Sequence, residues 1–199
     1  MGTPSRRVHY QVRGFARRVW LLAAAGVATA AVVMAVTGTR QSVRLTSADS
    51  IPITNAVSVT PAPGWTVADR GPNWVALSNS DSSAQLQVAV KPAGGADLVG
   101  MLRADVNQLA GTPAAGLTDV KDLGAPVTKD LDGTNFQREA FVNYTADVSS
   151  PQGPIPVIGT FNELLNTSTR QTAFVNFRQN DNATLQVDDD GGAMISSML

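Results

Sequence analysis

Ala84-Gln85-Leu86-Gln87-Val88-Ala89-Val90, followed after a short link by Leu98-Val99-Gly100-Met101-Leu102-Arg103-Ala104-Asp105-Val106-Asn107-Gln108-Leu109, holds the point at which the chain changes its period. In the first stretch Leu86, Val88 and Val90 share one face and polar Gln85 and Gln87 the other, the two-residue alternation of a strand. In the second, Leu98, Met101, Leu102, Asp105, Val106 and Leu109 recur at helical spacing, an amphipathic helix with one polar intrusion at Asp105. Asp97 is placed to cap its start, and Gly111 with Pro113 to end it. A strand running into a packed helix inside one small domain predicts an α+β fold, an antiparallel sheet with two helices packed on it.

The flanking segments extend that pattern. Upstream, Ala56 to Thr60 alternates, Pro61-Ala62-Pro63-Gly64 turns the chain into Trp65-Thr66-Val67, and Asp69 to Asn73 is a turn cluster before Trp74-Val75-Ala76-Leu77. With Ala84 to Val90 this gives four short strands and predicts a meander. Downstream, Val120 to Leu131 carries strand residues broken by Pro126, which predicts an edge strand or a bulge. Asp130-Leu131-Asp132-Gly133 reads as a hairpin turn into the longest strand, Asn135 to Val148. After a turn at Pro151-Gln152-Gly153-Pro154, Val157 to Leu165 and Thr172 to Arg178 form a last hairpin. Thr184 to Leu199 reads as a closing helix with Leu185, Ile195, Met198 and Leu199 as its apolar side, capped by Asp181 or, if short, by Asp190. Gly191-Gly192 costs that helix roughly 2 kcal/mol against two alanines.

The N-terminal quarter has a different character. No residue from Val19 to Thr37 is charged, and Trp20, Leu21, Leu22, Val27, Val32, Val33 and Met34 belong to a continuous apolar run. About 20 such residues span a hydrocarbon core of roughly 30 Å. The preceding eighteen residues carry five arginines and no acid, so the positive-inside rule puts the N-terminus in the cytoplasm and the rest outside. A cleaved signal peptide has the same order of parts but a shorter apolar core. Small-residue cleavage sequences do occur at Val33-Met34-Ala35 and Val36-Thr37-Gly38, so cleavage of the segment stays open. The expected organisation is a basic cytoplasmic tail (1–18), a transmembrane helix (19–37), a tether (38–50) and an extracytoplasmic α+β domain (51–199).

Charge and residue usage exclude several functions. From Arg40 onward there are 10 basic and 16 acidic side chains, a net charge of −6 that the full-chain value of −1 hides. Such a surface opposes nucleic acid and anionic headgroups as main partners. The chain has no cysteine, so a lipidated Cys and a disulfide framework are both ruled out. Its single histidine, His9, lies in the basic tail, and no Ser-His-Asp or Cys-His set can form in the exported part. Neither Ser-x-x-Lys nor a phosphate-cradling glycine motif is present there. Asp188, Asp190 and Gly191 fit positions 3, 5 and 6 of a calcium loop, but Gln186 and Ser197 would then stand where carboxylates are needed. Asp130 and Asp132 flank a turn glycine, and the only glutamates, Glu139 and Glu163, each fall within a strand. No catalytic residue, cofactor or metal ligand is therefore assigned.

Val59-Thr60-Pro61-Ala62-Pro63-Gly64-Trp65, two strands joined by a Pro-Gly-Trp turn, together with the order of elements from Ile51 to Leu199, resembles the Mog1/PsbP-like fold. It is most similar to the branch found in actinobacterial envelope proteins of the LpqN/LpqT type, from which it departs by having an apolar anchor in place of a lipidated cysteine. The resemblance implies a binding or accessory role in the envelope and no catalytic set. Two functions follow as expectations: a membrane-anchored interaction module with an envelope membrane-protein partner, or a small-ligand or lipid-binding domain. The candidate groove for either lies between the Leu98–Leu109 helix and the sheet, with Trp65, Trp74, Leu98, Leu102 and Leu109 as its residues.

Overall fold

The computed structural model describes residues 49–95, 97–110 and 116–199. The basic tail, the apolar run with its Trp20 to Met34 residues, most of the tether and the Gly111–Pro113 helix stop lie outside them. Among the described residues no helix is long and apolar enough to cross a membrane.

The alternating segments form β3 (Trp65–Gly71), β4 (Trp74–Asn79), β5 (Ala84–Pro92), β6 (Leu117–Lys121), β7 (Val127–Asp130), β8 (Arg138–Ser150), β9 (Gly153–Asn166) and β10 (Gln171–Asn180). They make one antiparallel sheet in the order β3-β4-β5-β10-β9-β8-β6, with β7 also paired to β8. Helix α1 (Leu98–Ala110) carries the chain from β5 to the far side of the sheet, and α2 (Leu185–Ser196) follows β10. A separate two-stranded ladder joins β1 (Ile51–Pro52) to β2 (Ser58–Val59). The α+β class and the antiparallel sheet with two helices are as the periodicity predicted.

Several local expectations change. Of the four expected meander strands, the first does not enter the main sheet: only Ser58–Val59 is extended, and it pairs with Ile51–Pro52. Pro61 and Pro63, which lack the N–H a ladder needs, stand between it and β3. Pro126 likewise splits the Val120–Leu131 segment into β6 and β7, both laid on β8 at the sheet's margin. The expected turn at Asp130–Gly133 is a wider loop over 131–137 in which Leu131 N–H donates to the Gln137 carbonyl at 2.8 Å. That loop carries Phe136, fully buried, into the core on the α2 side.

Asp97 caps α1 as expected: its Oδ1 accepts from the Gly100 N–H at 2.8 Å. Helix α2 starts after Thr184, which makes no side-chain cap, so neither Asp181 nor Asp190 is its cap. Leu185 is 87% exposed instead of packed, while Met194 and Met198 are fully buried. About two and a half turns separate Leu185 from Met194, which places them on opposite sides of the helix.

Two cores result, one on each face of the sheet. β10 serves both: Ala173, Val175 and Phe177 join Trp65, Leu77, Leu86, Met194 and Met198 under α2. Phe174 points the other way, into the core that Leu98, Met101, Leu102 and Val106 of α1 make with Val142, Tyr144 and Phe161. On this second face Tyr144 stacks on Phe161 (4.0 Å between centroids, 9° apart) and Phe161 on Phe174 (5.9 Å, 17°), a diagonal ladder across three strands. Gly159 makes room for it, since a Cβ there would stand 2.7 Å from the Tyr144 ring and 2.4 Å from the Phe177 carbonyl oxygen. Two of the marginal ladders are irregular, while the β7–β8 ladder is regular. The β3–β4 register shifts between Val67 and Asp69, and the β6–β8 register between Thr118 and Lys121.

Candidate functional site

Each helix covers only half of its face, and the two halves are diagonal to each other. Helix α1 rests on β6, β8 and β9, and α2 on β10 with β3, β4 and β5 contributing to the same core. On the α1 face, Trp74, Gln85 and Gln87 of β4 and β5 are half-buried with no helix above them among the described residues. On the α2 face, the uncovered residues are Phe141, Asn143 and Thr145 of β8 and Ile158 and Thr160 of β9.

The uncovered half over β8 and β9 carries two adjoining depressions. A trough of about 480 Å³ runs over it, lined by Asn143, Thr145, Ile158, Thr160 and Gln179, with Asp122 on one wall and Asp188 of α2 on the other. A second depression, about 320 Å³, shares Thr145 and Ile158 and continues past Asp119, Asp147 and Asp181. Asp122 is aimed by its accepted hydrogen bond from the Thr145 hydroxyl, 2.6 Å. Ile158 is 40% exposed at the junction of the two. Gln179 is buried, and among the described residues its side-chain oxygen has no hydrogen-bond partner.

A different chemistry lies beneath α1. Asp105, the polar intrusion on the apolar stripe, turns inward and forms an ion pair with Lys91 of β5. Beside it Glu163 of β9 is fully buried, as is Thr172 of β10. Among the described residues no hydrogen bond of good geometry reaches either Glu163 oxygen. Burial first, and then the Asp105 carboxylate next to it, push the Glu163 pKa up to about 8. Glu163 therefore keeps its proton at neutral pH. With no exposed surface it cannot meet a substrate, and it acts on the stability of the α1 contact.

Tyr144 is also chemically quiet. Its hydroxyl donates to Asn176 Oδ1 at 2.7 Å, and burial raises its pKa far above the usual phenol value. Arg178, close by on β10, has its pKa lowered by the same desolvation. Among the described residues no group of three or more His, Cys, Asp or Glu could hold a metal ion.

The five groove residues taken from the sequence do not meet in one place. Trp65 is buried under α2, its Nε1 donating to Asp190 Oδ2 at 3.0 Å, with its ring 6.4 Å from Phe177. Trp74 lies on the opposite face, its indole folded over Gly71, where a Cβ would come within 2.2 Å. Leu98 and Leu102 are buried beneath α1 and Leu109 is partly buried at the same core. The α1–sheet interface is filled. A depression of about 270 Å³ sits beside the helix, lined by Leu102, Val106, Leu123, Pro126 and Val142. Sequence reasoning missed Gln179 and the Lys91–Asp105–Glu163 cluster. Asp105 on an apolar stripe was the one visible signal for the cluster, and Gln179 offered none.

No protein-family model and no curated protein matches this chain. Its fold is similar to the solution structure of cyanobacterial PsbP (CyanoP) from Synechocystis sp. PCC 6803, with a TM-score of 0.54 at 13% identity over 81% of this chain and 96% of that one. The Ran-binding protein Mog1p of Saccharomyces cerevisiae aligns over 72% of this chain and 87% of its own, at 12% identity and a TM-score of 0.46. The architecture is thus that of a Mog1/PsbP-like α+β domain.

Proposed function

We propose that this chain is a membrane-anchored, non-catalytic interaction module with its folded domain outside the cytoplasm. In this reading it is an accessory of an envelope transport, secretion or cell-wall assembly complex, the binding or accessory role that its resemblance to LpqN/LpqT-type actinobacterial envelope proteins implies. The observation that carries it is the diagonal placement of the helices, which leaves a broad, shallow half-face open over β8 and β9. Such a surface suits a macromolecular partner better than a small ligand, which favours a deep, concave site. The uncharged run from Val19 to Thr37 supplies the anchor.

The test is affinity purification of the tagged full-length protein from native membranes, with proteins and extracted lipids identified together. A stoichiometric membrane-protein partner is the expected result; recovery of the bait alone would sink the proposal. The depression beside α1, with its Leu102, Val106, Leu123 and Val142 lining, favours a second reading as a lipid or small-ligand carrier. Co-purifying lipid without a protein partner would shift the assignment to it.

A further inference from the structure

We propose that the trough over β8 and β9 docks a basic protein segment, one whose lysines or arginines face the aspartate walls while an apolar side chain sits on Ile158. This rests on the interaction-module reading and supplies the partner's chemistry. Five aspartates, Asp119, Asp122, Asp147, Asp181 and Asp188, border the two adjoining depressions. Among the described residues the one cation bordering them is Lys121, already paired with Asp119. The walls are thus strongly negative, and a cationic segment is steered there while acidic peptides and anionic headgroups are repelled.

The floor adds a feature that an acidic surface alone lacks. Ile158 offers exposed carbon at the junction of the two depressions, where a solvated acidic patch would have a polar residue. Basic charge and an apolar side chain are together the properties of a lysine- or arginine-bearing peptide stretch.

The experiment uses full-length protein in non-ionic micelles and a fluorescent heptapeptide of alternating lysine and valine, with the glutamate–valine peptide as its counterpart. Anisotropy should show binding of the first only, weakened by added salt. Asp122→Asn combined with Asp188→Asn should lower that affinity at least about tenfold, and Ile158→Ser should weaken it further, whereas Asp130→Asn, outside the trough, should leave it unchanged. Asp147→Asn with Asp181→Asn is a second, independent pair, and thermal midpoints equal to wild type verify the fold of each. Equal binding of both peptides, no binding of either, or full affinity in both double variants would overturn the proposal. Repeating the native-membrane capture with Asp122→Asn/Asp188→Asn separates the two readings. A partner retained by the variant removes the trough but keeps the module; peptide binding without any captured partner does the reverse.

Discussion

The two helices of this domain are seated in different ways. Under α2 the contact is carbon against carbon, closed by a glycine, Gly191, and pinned by the Trp65–Asp190 hydrogen bond. Under α1 an aromatic ladder shares the interface with Lys91, Asp105 and Glu163. One sheet therefore supports a contact set by shape and another whose strength depends on protons. Burying charge was not required to pack a helix here, since the α2 side manages without it. The ionic group makes α1 the contact that responds to solution conditions.

The largest effect should come from the ladder. Phe161→Ala removes the ring stacked between Tyr144 and Phe174 and should cost about 3–5 kcal/mol in denaturant unfolding. A loss no greater than that of an exposed phenylalanine would deny the ladder its role. Next is the protonic part. The Glu163 pKa is 4.5 in the reference state and about 8 in the folded domain, so the folded chain holds the extra proton between those values. Stability should therefore fall as pH rises from 4.5 to 8 and level off above it. Glu163→Gln should flatten that slope and, above pH 8, stabilise the domain by about 1–4 kcal/mol. A pH profile unchanged by the substitution would remove Glu163 as its source.

Gly191→Ala tests the α2 side. Its Cβ would stand 2.5 Å from the buried Phe177 ring, and the overpacking should cost about 1–3 kcal/mol. Gly192→Ala, with nothing within 4 Å, should instead gain about 1 kcal/mol from helix propensity. Equal effects at the two positions would contradict the close approach of α2. The smallest difference lies at the helix starts. Asp97→Ala should cost about 1 kcal/mol in thermal unfolding, because it deletes the cap on Gly100, while Thr184→Ala, which removes no capping bond, should be near neutral.

The parts that could be read from sequence were those with a local period. Ala84–Val90 and the Leu98–Leu109 stripe fixed a strand and a helix because alternation and helical spacing depend on near neighbours alone. Asp97 was identifiable for the same reason. Leu185 was misplaced because an apolar residue in the first turn says nothing about which way the helix will face once docked. Phe136 continued an alternation that the backbone abandons in the 131–137 loop. The site was less legible still. Trp65 and Trp74 are nine residues apart in sequence, yet the hairpin between β3 and β4 and the pleat put them on opposite faces. The trough joins Asp122, Thr145, Ile158, Gln179 and Asp188 from five separate segments, and only the strand order brings them together.

The register shifts in the outermost ladders have a consequence for assembly. A strand that ends a sheet offers unpaired backbone groups on which another chain can polymerise. Here the shift at Val67/Asp69 interrupts one margin, and the shift at Thr118/Lys121, with Asp119 and Asp122 in left-handed backbone conformations, interrupts the other. Beside these two interrupted ladders, the only regular marginal ladder among the described residues of the sheet is that of β7, four residues long. The domain is thereby guarded against self-propagating fibres, and its associations are directed away from strand addition toward side-chain recognition on the open faces of the sheet.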